Sequence, residues 1–298
     1  MTIGSDAELI IADGTLRPFP VCGIIGGTKD KPRKLGNTPY FIQEDNVLLE
    51  FNIPPCSTEK EFTSHMRDGM HRSLQELPPS LQLYPSATAV FEKNLINFSQ
   101  AHMFGCEPDF NAWIMEENPK PNAENKELRS AAGHVHIGWD DPTNEDRIAL
   151  IKAADIFAGL RSVWEFADRQ RRLLYGKAGS FRPKAYGVEH RVLDNQWVWE
   201  RRSKEIFYWY QDAINFVNAG LVNTITEEES EKIQKAINTY DVDLAAKLYT
   251  YWVGKLNSKG VMASGMAKKQ VSKTDYFSQY IVGANPVALN IDSTPTTE

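Results

Sequence analysis

Four apolar stretches of this chain each carry two chemically active side chains one residue apart. They are Asp6 and Glu8 in GSDAEL, Glu50 and Asn52 in LLEFNIPP, His134 and His136 in GHVHIGW, and Glu189 and Arg191 in GVEHRVLD. On a helix, positions i and i+2 point in different directions; on a strand they share one face. The four stretches therefore predict strands, and a sheet with one chemically loaded face. A buried lone carboxylate costs several kcal/mol unless something compensates it. Divalent cations suit a set of carboxylates and imidazoles. Arg191 adds a cation that cannot be deprotonated, which suits phosphate. Taken singly, Asp-x-Glu reads as the exposed face of a half-buried sheet and Glu-His-Arg as a surface ion pair. The co-occurrence on four strands carries the functional reading.

The rest of the chain supplies the frame. Strands are predicted over 3–11, 19–27, 46–53, 83–92, 130–139 and 187–199, the third stopped by Pro54-Pro55. Thr58 and Glu61 form a capping-box pattern for a helix over 58–76. A long helix is predicted over 143–168, with an acidic first turn. The polar segment 114–128 reads as a surface loop, and 175–187 as a Gly-containing loop. With no internal repeat and no linker, the expected fold class is α+β with a mostly antiparallel sheet. One catalytic domain is expected over 1–284, with its helical C-terminal part over about 204–257 and a flexible tail over 285–298.

Composition excludes several function classes. The net charge is -6 and there is no long basic run, so no nucleic-acid partner is expected. No apolar run approaches ~18 residues, so no membrane span is expected. The N-terminus has no basic region followed by an apolar core, so no signal peptide is expected. Three cysteines without a C-x-x-C pair fit a reducing compartment, hence the cytoplasm. Cys106 has no adjoining base and reads as packing rather than as a nucleophile. P-loop, dinucleotide-binding and nucleophile-elbow patterns are absent.

Two further stretches carry candidates. In FGCEPDFNAW, Glu107, Asp109 and Asn111 alternate between aromatics and could recognise a substrate amine or carboxylate. In RQRRLLYGKAGSFR, Lys177 and Arg182 could bind phosphate or carboxylate, with Gly176 and Gly179 giving backbone freedom. Arg169 and Arg171 read as a basic helix end meeting its own macrodipole. His190 is expected on the opposite face from Glu189 and Arg191, and the aromatics of 206–216 read as a helix core face.

These motifs resemble, in order along the chain, the glutamine synthetase and glutamate–cysteine ligase superfamily. GHVHIGW resembles the synthetase histidine strand, G-M-H-x-H-x-S. DNVLLEFNIPP is similar to the ligase strand LLEF-x-x-P, GVEHRVLDNQW to E-x-R-x-x-D, and GSDAEL to E-x-E. With FGCEPDFNAW and RRLLYGKAGSFR, the set resembles a phage-encoded branch, the type 2 carboxylate–amine ligases, over residues 3–200. Asp6 replaces the first Glu of E-x-E and Gly138 the Ser of the histidine motif.

The resemblance implies a funnel-shaped active site lined by the sheet, ATP and two Mg²⁺ (or Mn²⁺) ions. It places Asp6, His134 and Glu189 on one ion, Glu8 and Glu50 on the second, and Glu44 near them. His136 and Arg191 would contact ATP phosphates, and Glu189, Arg191 and Glu50 would carry the chemistry. The implied reaction joins a carboxylate and an amine through an acyl phosphate, with both substrates unspecified and the enzyme in a host-cell cytoplasm. Two other readings stay open: a metal-dependent hydrolase on the same site, and a catalytically silent, virion-associated partner-binding protein.

Overall fold

The computed structural model describes residues 1–102, 109–119, 124–166 and 168–264. Its strands are β1 (Thr2–Asp13), β2 (Arg33–Lys34), β3 (Phe41–Asp45), β4 (Leu48–Asn52), β5 (Leu81–Tyr84), β6 (Thr88–Val90), β7 (Phe110–Asn111), β8 (Glu116–Glu117), β9 (Leu128–Ser130), β10 (Gly133–Gly138), β11 (Ser180–Lys184) and β12 (Gly187–His190). The principal helices are α1 (Glu59–Gln75), α2 (Asn144–Ala154), α3 (Leu160–Glu165), α4 (Arg169–Leu174), α5 (Gln196–Trp199), α6 (Ser203–Asn218), α7 (Glu227–Asn238) and α8 (Val242–Ser258).

Among the described residues, the main sheet runs β2-β3-β4-β1-β10-β12-β11-β7-β8, with β5 on the far end of β1. Every pairing in this sheet is antiparallel. The fold is thus α+β with an antiparallel sheet and flanking helices. β1 is its centre because its alternate residues are apolar through Ala7, Leu9 and Ile11, all fully buried. Those side chains face a core shared with Phe51, Val135 and Val188 of neighbouring strands and with Phe62, Ile151, Phe157, Phe216 and Trp252 of the helices. The opposite face of β1 carries Asp6 and Glu8 and ends on Ile10. Ile10 joins a smaller core with Leu48, Phe91 and Ile96. One face of the sheet is therefore sealed by helices, and the other is polar with an apolar floor at one end.

Local signals set the ends of these elements. Thr58 and Glu61 complete the predicted capping box of α1, and Thr143 with Asp146 does the same for α2. The helix predicted over 143–168 runs to Glu165 and contains one π-turn, Asp155–Gly159. The strand predicted over 19–27 does not form. Gly23, Gly26 and Gly27 take positive φ there, and two of their N–H groups bind a side chain instead of a neighbouring strand. The region 83–92 splits into β5 and β6, and 187–199 into β12 and the short helix α5. Within the loop predicted over 114–128, Glu116–Glu117 pairs as β8. The tail predicted over 285–298 lies outside the described residues.

Candidate active site

Register brings the four polar pairs together. Glu8 faces Glu50, and Asp6 faces both Asn52 and His134. His136 faces Glu189, which faces Arg182. Residues directly opposite on antiparallel strands share a face. A polar stripe therefore crosses β4, β1, β10, β12 and β11, and lines a cavity of about 560 Å³.

Two sets of ligand atoms converge within it. Atoms of Asp6, His136 and Glu189 lie within 4.8 Å of one another, and so do atoms of Glu8, Asp45 and Glu50. His136 Nε2 stands 3.0 Å from Asp6 Oδ1, and His134 Nδ1 stands 3.3 Å from Asp6 and 3.5 Å from Glu189. Asp6 Oδ1, His136 Nε2 and Glu189 Oε2 are buried, and no partner meets them with hydrogen-bond geometry. Buried lone pairs converging in this way fit a divalent ion. Three carboxylates suit a hard ion, and two carboxylates with an imidazole suit Mg²⁺ or Mn²⁺.

The two sets differ electrically. Burial, then the charge of Asp45, pushes the Glu8 carboxyl up to about 8, although Ala132 N–H donates to it at 2.7 Å. Burial and then Asp6, Asp45 and Glu8 hold Glu50 well above the carboxylate range, and burial raises Asp45 too. In the other set, burial also pushes Asp6 upward. The imidazoles of His136 and His134 outweigh it and leave Asp6 well below its ordinary value. Burial likewise opposes ionisation of Glu189, but Arg191 and both histidines bring it down to about 2. His134 falls to about 4 through burial and the nearby Arg191 cation, so it is neutral at pH 7.

A basic wall closes the β11–β12 side. Arg191 hydrogen-bonds Glu189 and lies 3.8 Å from Asp109 Oδ1. Lys184 Nζ is 2.8 Å from Glu189 Oε2, and an Arg182 guanidinium nitrogen is 3.9 Å from Glu189 Oε1. Arg171, 3% exposed, donates to the backbone carbonyls of Arg191 and Val192 from behind. The macrodipole reading of Arg171 is therefore corrected: its side chain runs inward and fixes the exit of β12.

No protein-family model and no curated protein matches this chain. The site's own geometry thus carries the functional reading. Among the described residues, no helix is long and apolar enough to cross a membrane.

Of the sequence candidates, Asp6, Glu8, Glu50, His134, His136, Arg182, Glu189 and Arg191 line the cavity. Glu44 does not. Gln43 pairs with Glu50, so strand alternation turns 43 and 45 inward and 44 outward. Glu44 Oε1 instead accepts from Gly23 N and Gly26 N, both at 2.9 Å. Asp45 takes the place expected of it, and strand alternation across the hairpin was the signal for it. The two histidines also exchange emphasis: His136 completes the three-atom set, while His134 faces Asp6, Glu189 and Arg191.

Lys177 is exposed on its loop and outside the cavity lining; Lys184 supplies the basic group instead. Asn111 is buried, and its Oδ1 accepts from Trp113 N at 2.8 Å, which makes it a turn residue rather than a substrate contact. Asp109 sits beside Arg191, its carboxyl raised by burial against the pull of that cation. Glu107 and Cys106 lie outside the described residues.

Behind the sheet, His190 is fully buried, as its alternation predicts. Its Nδ1 meets Tyr210 Oη at 2.6 Å and its Nε2 meets Asp155 Oδ1 at 3.0 Å. Burial and the Asp155 charge keep the Tyr210 hydroxyl protonated, so it donates to Nδ1 and His190 donates onward to Asp155. Asp155 Oδ2 also accepts from Trp113 Nε1 and Gly179 N, both at 2.6 Å. One carboxylate in the π-turn thus ties β12 to the segments that lead out of β7 and into β11.

A second cavity of about 690 Å³ adjoins the first across His136, Asn52 and Tyr186. Trp139, Ile53 and Pro55 give it apolar walls, Thr2 adds a hydroxyl and Asp140 a carboxyl, and among the described residues no Lys or Arg lines it.

Proposed function

We propose that the chain is an ATP-dependent carboxylate–amine ligase with a glutamine synthetase-like catalytic fold, acting through an acyl phosphate. One observation carries the reading. Six candidate ion ligands and a wall of Arg182, Lys184 and Arg191 share one cavity on one antiparallel sheet face. Carboxylates that hold ions, beside cations that hold phosphate, are what phosphoryl transfer asks of a protein.

Asp6, His136 and Glu189 would hold one divalent ion, and Glu8, Asp45 and Glu50 the other. Bound there, the ions supply Lewis-acid charge beside the phosphates. Arg191, Lys184 and Arg182 orient the phosphate chain and offset its charge. Glu189, ionised at neutral pH, keeps Arg191 and Lys184 aimed inward. The aromatic cavity beside His136, walled by Trp139 and Tyr186, suits the flat base and the ribose. The γ-phosphoryl group passes to a substrate carboxylate, an amine attacks the acyl phosphate, and phosphate leaves. Such a sequence needs positioning and electrostatics rather than a protein nucleophile.

The test is ADP release by the purified chain with Mg²⁺, ATP and fractionated host-cell extract, with Glu189→Ala as control. A product lighter by one water than two extract components, formed only with ATP and lost in the variant, supports the ligase. Hydrolysis of substrates without ATP would move the assignment to a metal-dependent hydrolase. No nucleotide binding and no turnover would leave the partner-binding reading.

A further inference from the structure

We infer that Tyr186 is a positioning residue: its hydroxyl holds the Nδ1–H of His136 and so aims the Nε2 lone pair at the ion shared with Asp6 and Glu189. The inference rests on the two-ion reading above and adds a residue to it.

The contact is direct. Tyr186 Oη lies 2.6 Å from His136 Nδ1, while the other ring nitrogen, Nε2, lies 3.0 Å from Asp6 Oδ1. A neutral imidazole has one N–H and one lone pair, and an oxygen that accepts at one nitrogen leaves the lone pair on the other. Imidazole ligands of metals are commonly fixed in this way by an outer partner on the second nitrogen. A phenol oxygen that accepts from Nδ1–H fixes the ring plane, so the ring need not turn to present Nε2.

The backbone holds Tyr186 in place although its side chain is half exposed, at 49%. It sits in the two-residue turn between β11 and β12, and its carbonyl accepts from Trp139 N at 3.0 Å. From α2, Arg147 donates to Gly187 O at 2.9 Å and to Lys184 O at 3.1 Å, which clamps both ends of the turn. Gly187 is required here. Its φ is +152°, and a Cβ would lie 2.0 Å from Ile137 O. An exposed ring on a clamped turn contributes little burial, so its hydroxyl is the part the site uses. Tyr186 also lines both cavities, so it stands between the candidate ion ligands and the Trp139 side.

The experiment is a Mn²⁺ titration followed by electron paramagnetic resonance, on the full chain and on Tyr186→Phe. The variant keeps the ring and removes only the hydroxyl. Expected is a weakening of one ion by about 10- to 100-fold with the other unchanged, as for loss of an outer partner. A second readout uses ¹⁵N-histidine-labelled protein saturated with Mg²⁺. His136 should show a protonated Nδ1 in the wild type and lose that fixed tautomer in the variant, with thermal melting unchanged. A wild type that binds two Mn²⁺ and a variant that matches it in affinity and tautomer would overturn the role of Tyr186 alone. A wild type that binds no Mn²⁺ would overturn the two-ion reading and this inference together. Tyr186→Ala separates the ring from the hydroxyl: if it weakens the ion no more than Tyr186→Phe does, the hydroxyl carries the effect.

Discussion

Asp6, His136 and Glu189 sit among cations, whereas Glu8, Asp45 and Glu50 sit among one another. The first set is balanced from within the chain. Arg191, Lys184 and His136 hold its carboxylates ionised beside a neutral His134, and an ion would enter a preformed charge pattern. In the second set Lys29, Arg191 and Arg171 pull Asp45 and Glu8 downward, but burial outweighs them and raises all three carboxyls, so an ion there would displace protons. Two halves of one sheet face thus prepare for ions in opposite ways. The difference makes each half separately breakable.

The largest effect is expected at the balanced half. Arg191→Met strips Glu189 of its closest cation and the phosphates of one of two guanidinium groups. ADP release should fall by about 10²- to 10³-fold, and stability by about 3–5 kcal/mol, since a buried carboxylate loses its partner. Steady-state kinetics and urea unfolding check the two parts.

At the unbalanced half, Asp45→Asn should weaken one Mn²⁺ by about 10-fold or more, a single charge-assisted contact being worth about 1.5–3 kcal/mol. Glu44→Gln should leave both ions alone and lower only the melting temperature, through the loop at Gly23 and Gly26. Calorimetric titration of the two variants side by side separates adjacent residues with opposite roles.

Acidity sharpens the comparison. The folded value of Glu8 is raised from 4.5 to about 8. Its contribution is therefore fully present below the unfolded value and is lost as pH rises through the folded one. Without divalent ions, stability should decline between about pH 4.5 and 8, by up to about 1.4 kcal/mol per pH unit, and Glu8→Gln should flatten that decline. Glu189 has the reverse sign: its value is lowered to about 2, so its contribution is present above 4.5 and is lost as pH falls toward 2. Melting curves across pH, with and without Mg²⁺, read both limbs.

The smallest effects concern two lysines. Lys184→Ala should raise the KM for ATP by about 10-fold, as expected for one charge-assisted hydrogen bond. Lys177→Ala, on the exposed loop, should stay within about 2-fold. Equal effects from the two lysines would mean that the loop closes over the cavity.

Much of this site was legible because strands repeat every two residues. Asp6 with Glu8, His134 with His136, and Glu189 with Arg191 needed only that period to be placed on one face, and His190 on the other. The same period misleads where a hairpin's boundary is off by one residue. Reading the strand as starting at 46 left Asp45 outside it, although β3 and β4 meet at a tight turn at Asn46, and the resemblance pointed to Glu44, which alternation turns outward. Lys184 and Tyr186 were hidden because 175–187 read as one loop, while its second half is β11 and a clamped turn. Asp155 was not legible at all: its partners Trp113, Gly179 and His190 come from three distant segments, and only the fold brings them to one carboxylate.

The most direct measurement is a calorimetric Mn²⁺ titration at pH 7.5 in two buffers of different ionisation heat, which counts both ions and protons. Two ions per chain are expected, with proton release on filling the Glu8, Asp45 and Glu50 set that is reduced in Glu50→Gln. Binding of a single ion or none, or filling of that set without proton release, would contradict the two-ion reading.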